Sequence, residues 1–148
     1  MSADLESLIT ADTAIKVSST LDKSVGKKYL VDGNPETCWT SQQGLPQHIQ
    51  LNFTRRVIPQ RILLTFQGGF VGTQCSLYLE FEGGGKKDWR LWTSIYPEDV
   101  NRRQIFDLPP FDLDVGLSSL KLVFEQSSDF FGRITVYDLK LEGRIDTS

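Results

Sequence analysis

Apolar residues along this chain recur at every second position more often than at helical spacing. In Gln47–Phe53, Ile49, Leu51 and Phe53 fall on one face while His48, Gln50 and Asn52 fall on the other. Leu77–Phe81 repeats the pattern with Leu77, Leu79 and Phe81 inward, and Leu120–Phe124 and Ile134–Leu141 repeat it again. Successive side chains of an extended chain point to opposite sides, so each segment predicts a half-buried antiparallel strand. Less regular runs over Ile15–Ser19, Arg61–Phe66, Asp88–Ile95 and Gln104–Phe106 predict further strands.

Turn-forming residues separate these runs: Asp32-Gly33-Asn34-Pro35, Gly44-Leu45-Pro46, Gly68-Gly69, Gly83-Gly84-Gly85 and Pro109-Pro110. Helix is confined to short turns near Lys28–Leu30 and Asp112–Val115. About eight or nine short strands with Gly/Pro punctuation predict an all-β protein, an antiparallel jelly-roll β-sandwich. One domain is expected over residues 12–144. The polar ends, 1–11 and 145–148, are expected to be flexible.

Composition narrows the function. A chain of 148 residues with 39% hydrophobic and 24% charged residues is ordinary for one globular domain. Its net charge of -3, with Lys27-Lys28, Arg55-Arg56, Lys86-Lys87 and Arg102-Arg103 scattered, gives no basic surface for nucleic acid. No run reaches the roughly 20 apolar residues of a membrane span, and the acidic start Met1–Glu6 is unlike a signal peptide. The expectation is a monomer of the nucleus and cytoplasm, with Cys38 and Cys75 as free thiols. Two cysteines and the lone His48 fall short of a zinc site.

The run Leu30–Ser41 resembles the loop leading into the sandwich of discoidin domains, also called factor V/VIII type C or galactose-binding-like domains. It carries their Asp-Gly, three residues, Thr, one residue, Trp, one residue, Ser spacing as Asp32, Gly33, Thr37, Trp39 and Ser41. The strand at Ile49–Phe53, the segment Val57–Phe66 and the closing Leu141-Glu142-Gly143 come after it in the family's order, so the resemblance spans Ile15 to Arg144. Phe66–Phe70, Tyr96–Asn101, Phe124–Arg133 and Lys27–Asp32 further resemble a family of small intracellular proteins that associate with an orphan nuclear receptor. That resemblance implies a protein partner, such a receptor, and repression of receptor-driven transcription. The paired terminal cysteines of extracellular discoidin domains are absent.

Two regions carry candidate chemistry. Asp32, Asn34 and Thr37 share one bent loop whose oxygens can converge on a hard cation. The discoidin resemblance adds Glu142 and a structural calcium, with backbone carbonyls near Tyr29 and Leu141. The alternative is an Asx-turn in which Asp32 and Thr37 satisfy loop amides without an ion. Trp39, just beyond, is expected in the core, with Ser41 bonded in the turn.

The second region is a recognition surface built from Gln67, Phe70, Asp129, Phe130, Phe131 and Arg133. Adjacent aromatics point to opposite sides, so at least one of Phe130 and Phe131 is open to a partner. The alternative has both rings plugging the sandwich end while Asp129 pairs with Arg133. Of Trp89 and Trp92, one is expected in the core and the other at an edge beside Arg90. Tyr96–Asn101 reads as a solvated acidic loop. With one His, no nucleophile motif and no phosphate loop, a non-catalytic binding module is expected. The alternatives are a lectin-like module, for which Phe70, Phe131 and Arg133 form a crude sugar platform, and a subunit of a larger intracellular complex.

Overall fold

The computed structural model describes residues 5–83, 86–110 and 116–147, and of 81–83 and 86–87 the backbone alone. The predicted turn at Asp112–Val115, much of the Gly83–Gly85 turn and the Phe81 side chain therefore lie outside the described residues.

Nine strands are present among these residues: β1 (Glu6–Ser7), β2 (Ala14–Val17), β3 (Trp39–Thr40), β4 (Gln47–Phe66), β5 (Gln74–Gly83), β6 (Lys86–Ile95), β7 (Arg103–Asp107), β8 (Leu117–Gln126) and β9 (Thr135–Ile145). All pairings are antiparallel. Short 3-10 turns occupy Lys23–Val25 and Lys27–Leu30.

The long β4 organises the molecule. Its first part, Gln47–Asn52, pairs with β2 on one side and β8 on the other, and β8 continues to β5 and β6. From Val57 onward it pairs with β9 and β7. One strand thus passes from one layer to the other through the exposed Thr54, Arg55 and Arg56, the way corners form in sandwiches. The alternation alone predicts two separate strands here. Pro59 sits where the β4–β9 register slips, a position that tolerates a missing amide donor, so the chain stays extended through it.

Between the layers Ile49 and Leu51 of β4 meet Leu77 of β5 and Leu120 and Leu122 of β8, facing Ile62 and Leu64 of β4 and Leu139 and Leu141 of β9, all buried. Phe66 and Phe124 close the core edge to face, 5.8 Å between centroids. Each fully buried aliphatic side chain contributes about 1.5–3 kcal/mol relative to exposure, so this interleaving outweighs any one turn. The alternation of β9 slips at Tyr137. Val136 pairs with Phe66 and Asp138 with Thr65, so a bulge lets both Val136 and Leu139 face inward. Phe53, expected inward, is only half-buried, at the corner of β4.

The expected ends need correction. β1 pairs with β9, the Leu8 amide donates to the Leu141 carbonyl (2.8 Å) and Leu8 is buried. At the other end Asp146 accepts from the Gly116 amide (2.7 Å), and its own amide donates to the Arg56 carbonyl (2.9 Å). Leu5, Leu8 and Ile9 do not alternate, so this run carries no period-two signal to mark a strand. The packed unit therefore extends past 12–144 on both sides.

Candidate functional site

Four connections meet at one end of the sandwich, and backbone amides bind them together. Ser41 joins to Ile134 twice: its amide donates to the Ile134 carbonyl (2.9 Å) and its hydroxyl accepts from the Ile134 amide (2.9 Å). Gly44 donates to the Phe131 carbonyl (2.8 Å). The Ser128 hydroxyl accepts from the Val71 amide (2.9 Å) and donates to Asp99 (3.1 Å). Asp99 also takes the Gly69 amide (2.7 Å), and Asn101 takes that of Gly68. A turn through Gly68 and Gly69 leaves amides without ladder partners, and the polar side chains of the next loop satisfy them. Tyr96–Asn101 thus serves as a clamp as well as a solvated loop.

On this scaffold sits the Asp129–Arg133 turn. Asp129 accepts from the Arg133 amide (3.1 Å) and guanidinium, Nε at 2.9 Å and Nη2 at 3.3 Å. The hydrogen bond from Arg133 holds the Asp129 carboxyl below its ordinary value, and the same bond raises Arg133. The guanidinium lies 5.0 Å from the Phe70 ring and 5.8 Å from the Phe131 ring, within cation–π range of both. Gly132 adopts φ +79° where a Cβ would crowd Leu45 and Gly44.

With Arg133 held between the two rings, the phenylalanines turn out. Phe130 is 94% exposed and Phe131 53%, edge to face at 5.3 Å. Leu45, packed by Gly132, is 41% exposed. Each alternative drawn from the sequence held half of this: Asp129 and Arg133 do pair, and the rings do not plug the sandwich. Gln67 is adjacent in space, its amide bonded to Thr135 and its carbonyl to Phe70. Sequence reasoning missed Leu45, Asp99 and Ser128. The signal that could have found them was an apolar residue between Gly44 and Pro46, and unpaired amides in Gly68-Gly69 that call for nearby acceptors.

The 32–37 loop is built differently. Asp32 accepts from the Asn34 amide (3.0 Å) and the Thr37 hydroxyl (2.7 Å), while Asn34 accepts from the Glu36 amide (2.9 Å). The Thr37 hydroxyl bond, then the Asn34 amide, lowers the Asp32 carboxyl. Glu142 instead faces Arg61 at 3.6 Å. The side-chain oxygens of Asp32 and Asn34 accept from the loop's own donors, and no group of three or more His, Cys, Asp or Glu gathers among the described residues. This bonding is that of an Asx-turn. Trp39 is fully buried behind the loop, its indole N–H donating to the Ser19 carbonyl (3.0 Å).

Elsewhere, Trp92 packs against the core and Trp89 lies half-exposed under Lys121, 4.4 Å from the ring centroid. His48 is half-buried on the outer face of β4, and desolvation, then Lys121, lowers its pKa. Cys38 and Cys75 are free thiols, and burial pushes Cys75 far up.

No protein-family model matches the chain. Among curated proteins, the nuclear receptor 2C2-associated protein of Danio rerio is 45% identical over 145 residues, covering 95% of this chain and 98% of its own. Its Homo sapiens counterpart is 37% identical over 141 residues, covering 93% and 96%. Among solved structures, the family 32 CBM of C. perfringens NanJ in complex with galactose aligns with a TM-score of 0.74 at 17% identity, covering 94% of this chain and 99% of that one. The F5/8 type C domain of a Bacteroides fragilis protein aligns at 0.75 and 12%, covering 95% and 97%. These likenesses establish the galactose-binding-like sandwich fold.

Proposed function

The chain belongs to the family of nuclear receptor 2C2-associated proteins, and from that premise we propose that it is a non-catalytic protein-binding module that associates with a nuclear receptor and acts as a transcriptional co-regulator of the repressing kind. The observation that carries this reading is the aromatic surface at the hydrogen-bonded loop end, with Phe130 almost fully exposed beside an Arg133 held by Asp129. Exposed aromatics on a fixed backbone lose little entropy on docking, which is the character of interface hot spots. Two of the guanidinium N–H groups of Arg133 already donate to Asp129, and the exposed rings beside it make the contact chiefly apolar. Its action is occlusion: the loop end covers a surface that a co-regulator or a second receptor subunit uses. Residence in nucleus and cytoplasm accords with such a partner and belongs to the proposal.

The relatives are named for an association and the structural neighbours include binding modules. His48, the single histidine, stands on an outer sheet face. The test is calorimetry of the purified chain with purified nuclear receptor 2C2. Saturable binding at micromolar concentration or tighter supports the proposal, and no heat at either of two well-separated temperatures contradicts it, because apolar burial changes the heat capacity.

A further inference from the structure

A groove of about 630 Å³ runs along the outer face of the layer formed by β7, β4 and β9, walled by the 33–35 turn. Arg103, Thr65 and Asp138 form one cross-strand row on its floor, and Lys140 lies two residues further along β9. The groove is rich in donors because two of its side-chain amides, Asn34 and Asn101, have spent their acceptors. The Asn34 oxygen is taken by the Glu36 amide and the Asn101 oxygen by the Gly68 amide, which fixes both side chains so that their NH2 groups remain to donate. Arg103 and Lys140 add two cations.

The one carboxylate among them, Asp138, is a poor internal counter-ion. Its contact with Arg103 is long, 3.9 Å, and burial raises its carboxyl above the ordinary value despite the pull of Lys140 and Arg103, with Asp32 pushing the same way as burial. β7 is hydrogen-bonded to β4 alone among the described strands, so an extended segment can lie along its open edge. Ile105 on that strand is 59% exposed and offers an apolar contact beside the charges.

We propose that this groove binds an extended acidic peptide segment of a partner protein, with its carboxylates on Arg103, Lys140 and the free amide groups of Asn34 and Asn101. The inference does not depend on the loop-end surface.

The probe is a fluorescein-labelled eight-residue peptide alternating Glu and Val, followed by anisotropy at low salt, with the Gln-for-Glu peptide, citrate and inorganic phosphate as competing arms. The acidic peptide is expected to bind and the Gln peptide not to. Lys140→Gln is expected to weaken binding about threefold to fivefold, the size of one exposed charge contact. Asp138→Asn is expected to tighten it by a similar factor, because it removes the competing carboxylate. A merely structural Asp138 cannot produce that tightening. Lys121→Gln, the same charge change on the other layer, is expected to leave binding unchanged. Equal competition by citrate or phosphate would reduce the groove to a small-anion site and overturn the peptide assignment. Absence of binding, or equal loss with Lys121→Gln, would overturn the site.

Discussion

Two turns of this molecule begin from the same local chemistry and end in different places. In Asp32–Thr37 and in Asp129–Arg133 an aspartate accepts a backbone amide a few residues on, and in both its carboxyl is held below the ordinary value. The first turn closes on a hydroxyl, Thr37, and its polar groups face one another over the buried Trp39. The second closes on a guanidinium, and that cation, shared with Phe70 and Phe131, leaves two rings in solvent. The side chain on which each aspartate closes, more than the aspartate itself, separates a turn that stabilises the fold from one that presents a surface.

The largest expected effect lies behind the first turn. Trp39→Ala should cost about 3–5 kcal/mol, through a large cavity and the orphaned Ser19 carbonyl. For a domain of this size that is a fall in Tm of roughly 10 °C or more, read by calorimetry. A fall of only a degree or two would mean that the loop does not rest on this ring.

Gly132→Ala comes next. It forces a Cβ into a left-handed backbone position against Leu45 and Gly44, at about 1–2 kcal/mol. It should also weaken receptor binding by displacing the neighbouring Phe131. Unchanged affinity would detach the surface from the backbone that carries it.

Asp129→Asn is expected to lower stability by less than about 1 kcal/mol, because the ion pair is partly exposed, yet to reduce affinity by freeing Arg133. pH sharpens the comparison. Both aspartates have depressed folded values, so each contributes stability that is present above the unfolded carboxyl value, about 3.9, and lost as pH falls through the lower folded one. Both turns should hold from neutral to about pH 4 and loosen below it. Carboxyl titration by NMR checks the order, and a midpoint at or above the free-aspartate value at either site would break the parallel.

Asp32→Ala is expected to have the smallest effect, a slight fall in stability from the turn bonds lost at a fully exposed carboxylate, with receptor binding unchanged. Added calcium or chelator should leave the wild-type melting curve in place. A calcium-dependent rise abolished by Asp32→Ala would restore the ion that the discoidin resemblance implies.

Much of this was legible in the sequence, and the reasons for the rest are specific. Ile49 and Leu51, Leu77 and Leu79, and Leu120, Leu122 and Phe124 announce their faces because period two survives wherever one side of a strand is buried. The bulge at Tyr137 and the corner after Asn52 were hidden, since each changes the register between strands and leaves no local mark. β1 and β3 are only two residues long, shorter than any period can show. At the sites, the Asp129–Arg133 pair was visible as a spacing of four, while the stacking of Arg133 on Phe70 was not, because Phe70 arrives from a distant loop. Glu142 was placed by resemblance, and its partner proved to be Arg61 of the facing strand, a long-range pairing that no short motif contains.

The most direct test compares the Phe130→Ala, Phe131→Ala double variant with the wild type in Tm and in affinity for nuclear receptor 2C2. Phe130 is almost fully and Phe131 more than half exposed, so the expected result is a Tm within about 2 °C and an affinity at least about tenfold weaker. Full affinity in a stably folded double variant would contradict the assignment of this loop end as the docking surface.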